Sequence, residues 1–158
     1  MATITEALTL EHAVFSQIFD QIERITDRSR SVREVKSLAS VVEGLLSGHG
    51  ESETNLAYSV LDHIFAERGT LTHLHQNHQE IDGHFARIRR TRDPGKAMRL
   101  LRKALAATRE HFRLEEEKVF PLLEDNLEPE TLYALGSQLT KGNSSAKNVK
   151  TMWKEIRI

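Results

Sequence analysis

Residues 93–125 read DPGKAMRLLRKALAATREHFRLEEEKVFPLLED, and this segment decides the fold class. It opens with Asp93 and Pro94, an N-cap residue followed by proline at the first helical position, which is a strong signal for a helix start. Apolar side chains then recur every three or four residues, the periodicity of an α-helix with one buried face. The segment is therefore predicted to form one long amphipathic helix whose last turn is bent by Pro121.

Three more helical patterns precede this segment, and no part of the chain shows the alternation of a strand. They run from about Thr5 to Thr26, from about Val32 into the sixties, and from about Leu71 to Thr91. Ser31 and Glu34 are spaced like a capping box at the second start. Four long helices with short connections predict an all-α fold, an antiparallel up-down-up-down four-helix bundle.

A C-terminal helical extension follows the bundle. A short helix is predicted from about Pro129 to Leu139, and a final amphipathic segment contains Trp153. We therefore predict two parts, a bundle over residues 1–126 and an extension over residues 127–158. The extension is expected to pack on the bundle or to form a homodimer interface.

Composition excludes several classes of function. The formal net charge of −1 gives no reason to expect nucleic acid or an anionic membrane as a partner. The chain has no cysteine, which excludes disulfides, iron–sulfur clusters and thiol chemistry. No segment approaches the roughly 18 unbroken apolar residues of a membrane span. The start lacks the basic and apolar regions of a signal peptide, so a cytoplasmic location is the default expectation.

The eight histidines are the informative feature of the composition. One histidine falls on the apolar face of each long helix, and on two helices a glutamate follows one turn later. These six residues are His12, His49, Glu53, His78, His111 and Glu115. The histidines of each antiparallel hairpin are about equally far from its turn, so they are predicted to lie at one level of the bundle.

Buried imidazoles and carboxylates without partners would cost several kcal/mol each, and metal cations remove that cost. Imidazole with carboxylate suits iron, and also zinc or manganese. The E-x-x-H pairs of ferritin-like bundles and the H-E-x-x-H motif of zinc proteases are both absent. The six residues are therefore interpreted as a metal site, and the alternative is a bundle core that only tolerates histidine.

Two features of the second helix complicate this interpretation. A third H-x-x-x-E pair, His63 and Glu67, is too far along the chain to join the same cluster and is interpreted as surface or helix end. His49 also lies much farther from Gly69 than His78 does. The second helix is therefore predicted to end early or to become irregular around Asp62 to Arg68.

The combined pattern resembles the hemerythrin-like, HHE cation-binding family over roughly residues 5–125. The resemblance rests on His12, the two H-x-x-x-E pairs, the segment starting at His78, and Phe120-Pro121. It implies two irons per chain, bridged by two carboxylates and a solvent-derived oxo or hydroxo group. It further implies the roles of the six residues. Glu53 and Glu115 match the bridging positions, with His12 and His49 on one iron and His78 and His111 on the other.

The chain departs from the oxygen-carrying members of that family on the third helix. Those members carry two histidines four residues apart, whereas Leu74 and Asp82 stand four residues before and after His78 here. Counting the ligands that the resemblance implies leaves one open position on each iron. This favours binding of, or reaction with, dioxygen, peroxide or nitric oxide. His75, His84 or Asp82 remain candidates for an additional ligand or a hydrogen-bond partner of a ligand.

A different class of function is left open by the same residues. The bundle could be a metal- or redox-sensing module that is recognised by another protein and performs no turnover. Its candidate contact surfaces are the Trp153 segment and a basic stretch, which is otherwise interpreted as a solvated helix hairpin. The basic stretch contains Arg87, Arg89, Arg90, Arg92, Lys96, Arg99, Arg102 and Lys103.

Overall fold

The computed structural model describes residues 2–27, 31–64 and 71–142. Every regular element in this part of the chain is helical, which confirms the all-α fold class. Three of the five helices are uninterrupted: α1 is Ile4–Thr26, α3 is Thr72–Arg90 and α5 is Pro129–Gly142. Helix α2 is Val32–Glu53 and continues through Thr54–Tyr58 and Ser59–Ile64. Helix α4 is Pro94–Leu114 and continues through Glu115–Val119 and Phe120–Asn126.

Side-chain caps fix three of the helix starts. The Ser31 hydroxyl accepts from the backbone of Glu34, whose carboxylate accepts from the Ser31 backbone in return, so the predicted capping box is present. Asp93 accepts from the backbone N–H of Lys96, as its position before Pro94 predicts. Helix α1 has a second capping box, formed by Thr3 and Glu6. These two residues have the same spacing as Ser31 and Glu34, but they were not used to predict the start of α1.

Two π-helical turns interrupt the long helices α2 and α4, at Thr54–Tyr58 and at Glu115–Val119. The irregular part of α2 was predicted farther on, around Asp62 to Arg68; Asp62 is helical, and residues 65–70 lie outside the described part. In α4 the π turn comes just before Pro121, the residue at which the last turn was predicted to bend. A π turn adds one residue to a helical turn, so it changes which face the following side chains occupy.

Contacts between helix ends show the antiparallel arrangement. Thr5 at the start of α1 donates to Glu124 near the end of α4, at 2.7 Å. Asp27, just after the end of α1, pairs with Arg102 near the start of α4. Lys36 near the start of α2 donates to the carbonyl of Arg89 at the end of α3. These pairs confirm the up-down-up-down bundle.

The core consists of two apolar clusters with a polar layer between them. One cluster includes Phe15 and Val42, and the other includes Leu8 and Ala57. On α1 the buried His12 lies between Leu8 and Phe15, so the chain passes from one cluster to the other at the histidine. The same change of cluster occurs at the buried polar residues of α2 and α4. The bundle therefore carries its polar residues at one level.

Helix α5 packs against the start of α1. Its Leu132 and Leu139 are buried in the same apolar cluster as Ile4 and Leu8. The final amphipathic segment with Trp153 lies outside the described residues. None of the helices in the described part of the chain could span a membrane.

Gly136 generates a test of the α5 contact. A Cβ added at this buried glycine would collide with the backbone of Ala2 and Thr3. We expect Gly136→Ala to lower the free energy of unfolding by about 1–3 kcal/mol, because backbone atoms cannot move aside as a side chain can. Gly44→Ala is the control, since nothing lies within 4 Å of its added Cβ. Helix propensity predicts a gain of up to about 1 kcal/mol there.

Chemical denaturation of both variants measures these changes. Equal stability of Gly136→Ala and the unchanged protein would show that α5 does not pack on α1 in solution.

Candidate metal centre

His12 of α1 and His49 of α2 face each other in the polar layer. Their Nε2 atoms are 3.1 Å apart, and both side chains are 3% exposed. The other ring nitrogen of each is held by a carboxylate at 2.8 Å, Nδ1 of His12 by Glu116 and Nδ1 of His49 by Glu11. The two imidazoles are thus fixed in position from behind.

These partners determine what the inward nitrogens can do. A carboxylate accepts hydrogen bonds, so the Nδ1 atom of each ring carries a proton. A neutral imidazole has only one N–H, which leaves a lone pair on Nε2 of His12 and on Nε2 of His49. Two lone pairs 3.1 Å apart repel unless a positive charge lies between them. A proton or a metal cation satisfies this requirement.

His78 of α3 and His111 of α4 form the second pair, with their Nε2 atoms 2.7 Å apart. This pair is less tightly held than the first. The Nδ1 atom of His111 is buried and has no hydrogen-bond partner in the described part of the chain. The side chain of His78 is 26% exposed, whereas that of His111 is 2% exposed.

Glu53 and Glu115 connect the two histidine pairs. Glu53 lies 3.0 Å from Nε2 of His49 and 3.7 Å from Nε2 of His78. Glu115 lies 3.2 Å from Nε2 of His111 and 3.5 Å from Nε2 of His12. Each carboxylate therefore reaches both pairs. Its Oε2 atom is buried and accepts no hydrogen bond from the described residues.

The structure thus brings all six predicted residues together. They form two overlapping groups, within each of which one atom per residue lies within 4.8 Å of the others. The first group contains His12, His49, Glu53 and Glu115, and the second contains Glu53, His78, His111 and Glu115. The two glutamates belong to both groups.

These distances suit metal coordination. An imidazole nitrogen or carboxylate oxygen binds a cation such as zinc at about 2.1 Å, so two ligands at a right angle are about 3 Å apart. Both Nε2 pairs and both H-x-x-x-E contacts lie near that separation. All of the converging atoms are nitrogen or oxygen, which suits iron, zinc or manganese. The residues present therefore fit a pair of cations.

The centre has two halves, the first with the His12/His49 pair and the second with the His78/His111 pair. The two halves differ in their electrostatics. Burial opposes protonation of His49, but Glu53 and Glu11 outweigh it and raise its pKa to about 10. Burial opposes ionisation of Glu53, yet His49 and His12 lower its pKa below the ordinary range. In the other half, burial and the neighbouring His111 lower the pKa of His78 to about 4.

The pKa of Glu115 shows the consequence of this electrostatic difference. Burial and the negative charge of Glu53 raise its pKa. Protein groups alone therefore place positive charge beside Glu53 but leave Glu115 poorly compensated, and a cation between the two carboxylates removes this conflict.

Sequence reasoning missed the partners behind the six residues. Tyr58 is buried and donates its hydroxyl to Glu115, from the last position of the π turn that follows Glu53. Glu11 and Glu116 were also missed, although each directly adjoins a residue that was identified. A carboxylate beside a predicted buried histidine or glutamate was the available signal for these two. No sequence signal pointed to Tyr58, because a regular helix would place its side chain on a different face from Glu53.

Four histidines lie outside the six residues. His75 and His84 do not join the centre, His73 is exposed, and the side chain of His63 lies outside the described part. The ring of His75 is perpendicular to that of Tyr58, with centroids 5.4 Å apart, and Nε2 of His75 lies 3.9 Å from Asp62. His84 lies 4.0 Å from Glu80. Among the described residues, neither group of converging ligands contains His75, His84 or Asp82. The side chains of His63 and Glu67 lie outside the described part.

The family model for the hemerythrin HHE cation-binding domain matches residues 3–135 of the chain. The chain belongs to this hemerythrin family. Neither a search of curated proteins nor a search of solved structures found a match. Membership confirms the resemblance drawn from the motifs, and it identifies the buried histidine and glutamate layer of this hemerythrin-like chain as a candidate cation site.

Glu116 allows a test of the carboxylates behind the ligands. We expect Glu116→Ala to weaken binding of a divalent cation about 10- to 100-fold, because His12 loses the group that orients its ring. Glu117→Ala is the matched control. Glu117 lies in the same π turn and pairs with Arg113 on the surface. Titration with Co²⁺ in competition with a chelator measures both affinities, and equal values would contradict the role of Glu116.

Tyr58 provides a second test. Tyr58→Phe removes the donor to a buried carboxylate, so we expect it to lower the free energy of unfolding by about 1–2 kcal/mol. Tyr133→Phe is the control, because Tyr133 is 43% exposed. Denaturant titration of both variants provides the comparison. A loss no larger in Tyr58→Phe than in Tyr133→Phe would show that the hydroxyl does not stabilise Glu115.

Proposed function

We propose that this chain holds two iron ions, and that these ions bind or react with dioxygen, peroxide or nitric oxide. His12 and His49 are the histidine ligands of one ion, His78 and His111 are those of the other, and the ions share Glu53 and Glu115. One observation carries the proposal. Two groups of converging ligands, each with a histidine pair from neighbouring helices, have the same two buried glutamates in common.

The donor atoms leave the choice of metal among iron, zinc and manganese, and membership of the hemerythrin family favours iron. Bound iron would supply electron exchange with a small oxidant or with nitric oxide. The protein contributes the surroundings of the ions. Glu11 and Glu116 orient two ligand rings, and the Tyr58 hydroxyl holds a proton beside Glu115.

Aromatic side chains exclude water from one side of the centre. The ring of Phe112 stacks on that of His12, with centroids 3.9 Å apart and planes 8° from parallel. Phe15 meets the His49 ring edge-on at 5.1 Å. A low dielectric around the carboxylates strengthens their attraction for cations.

The alternative of a sensing module has no specific support in the described residues. The Trp153 segment lies outside them. All eight residues of the basic stretch are exposed, but Arg89 pairs with Glu43 and Arg102 with Asp27, as on an ordinary solvated surface. Turnover separates the two functions: a catalyst consumes peroxide or nitric oxide many times per centre, and a sensor or carrier binds once.

Metal analysis tests the proposed centre. Protein from iron-supplemented cells should contain close to two irons per chain and absorb in the near ultraviolet as a bridged diferric pair. His49→Ala and Glu115→Ala should lose iron, because each removes a ligand, while far-ultraviolet circular dichroism retains the helices. His73→Ala is the control, since His73 is exposed. Normal iron content in both ligand variants would overturn the assignment.

A further inference from the structure

Helices α1 and α2 carry no lysine or arginine over most of their length. Neither residue type occurs in positions 4–23 or 37–64, although the chain contains 22 of them. The two helices are neighbours, because His12 and Glu11 of α1 both contact His49 of α2. Their outward faces therefore form one surface without positive side chains, called here the outer surface of α1 and α2.

Apolar side chains lie in the middle of this surface. Leu10 is 66% exposed and Val14 is 47% exposed, the two highest values for large apolar side chains among the described residues. They are one helical turn apart, and the exposed residues beside them, Thr9, Ala13 and Gln17, are uncharged. Single exposed apolar residues are common, but an uncharged stripe of this length is typical of a contact surface.

Helix α2 leaves open space next to the stripe. A Cβ added at Gly44 or Gly48 would meet nothing within 4 Å. Gly50 of the same helix faces His78 of α3, and Gly48 lies about 200° away from it around the helix. Gly48 therefore faces away from α3, on the side of α1. Exposed glycines of this kind let a large side chain approach the helix backbone closely.

The chain that follows Gly142, residues 143–158, has the complementary composition. In a helix its four large apolar side chains would lie on one face, and its four cations would lie together on the flank of that face. The apolar residues are Val149, Met152, Trp153 and Ile156, and the cations are Lys147, Lys150, Lys154 and Arg157. This segment therefore combines the apolar face and the positive charge that the outer surface of α1 and α2 would attract.

Carboxylates border the uncharged stripe and provide the opposite charge. Glu6 and Glu51 are exposed and form no ion pair with a cation among the described residues. Exposed ion pairs contribute little individually, so the apolar contact would supply most of the binding. The charges would fix the orientation of the segment, because its cations lie on one flank only.

The segment is long enough to reach this surface in its own chain. Gly136 lies against the backbone at the start of α1, and Gly142 is about 9 Å farther along α5. Leu10 is about 9 Å along α1 from Ile4. Even if the two helices diverge, Gly142 lies no more than about 24 Å from Leu10. The stretch from Gly142 to Val149 spans up to about 25 Å when extended.

We propose that residues 143–158 dock on the outer surface of α1 and α2 of their own chain, with Trp153 against Leu10 and Val14. The cations of the segment lie beside Glu6 and Glu51. Of the two positions expected for the end of the extension, this selects packing on the bundle and excludes a homodimer contact through Trp153. The inference does not depend on the proposed metal centre.

Trp153 is the only tryptophan of the chain, so its fluorescence reports the position of the segment. We expect short-wavelength emission and slow quenching by acrylamide. Leu10→Lys should shift the emission to longer wavelength and raise the quenching constant at least twofold, because a cation replaces the apolar contact and repels the segment. Ala106→Lys is the matched control, since it adds the same charge at an exposed position of α4.

A variant of the segment itself guards against damage to α1. Lys154→Glu should also raise the quenching constant, because the new carboxylate faces a surface without cations. Lys141→Glu is its control, since Lys141 is exposed at the end of α5. If Leu10→Lys loses helicity by circular dichroism, Lys154→Glu decides.

Cross-linking distinguishes the segment's own bundle from that of a second copy. The chain has no cysteine, so the double variant Thr9→Cys/Thr151→Cys contains only two thiols. A short bismaleimide should join them within one chain, and a mixture of the two single variants should give no product. Ala106→Cys/Thr151→Cys is the control and should stay unlinked.

Three results would overturn the proposal. Emission of a fully solvated tryptophan in the unchanged protein would show that the segment does not dock. A shielded Trp153 that neither Leu10→Lys nor Lys154→Glu alters, with no link to position 9, would place the segment on another surface. Links that form only between the two single variants would show that it binds a second copy. None of these results bears on the iron content, so the proposed function is tested separately.

Discussion

Two buried carboxylates that share one small space dominate the physics of this bundle. Glu53 and Glu115 are almost fully buried, and burial together with the charge of Glu53 raises the pKa of Glu115. Ionised groups in such surroundings need positive charge and hydrogen bonds to remain stable. The side chains that face the two carboxylates supply both. The histidine pairs face the carboxylates, and the Tyr58 hydroxyl donates to Glu115.

The π turns show how the backbone serves the same requirement. Each of them lies at a shared glutamate, one directly after Glu53 and the other beginning at Glu115. The first rotates the chain so that Tyr58 faces the centre. The second begins at Glu115 and leads α4 into the other apolar cluster, which contains Val119 and Phe120. Irregular turns of this kind are frequent at functional sites, because they place side chains where a regular helix does not.

Periodicity and spacing predicted the bundle and the convergence of the six residues, because both depend on which face of a helix a residue occupies. His12 is an example: its position between Leu8 and Phe15 already placed it in the core. Hydrogen-bond partners and irregular turns were not predictable in the same way. Glu11 reaches across to His49 and Glu116 reaches across to His12, and such pairings depend on the relative placement of two helices. One added residue in a helical turn then changes the face on which every later side chain of that helix lies.

The difference between the two halves arises from these same unpredicted residues. Both halves contain two imidazoles and the same two carboxylates, so their ligand chemistry is equal. Glu11 precedes His12 and Glu116 follows Glu115, yet both carboxylates hold rings of the first half. No such partner holds buried Nδ1 of His111 among the described residues. A site built from a repeated motif thus acquires a rigid side and an accessible side, because the residues next to the motif are not repeated.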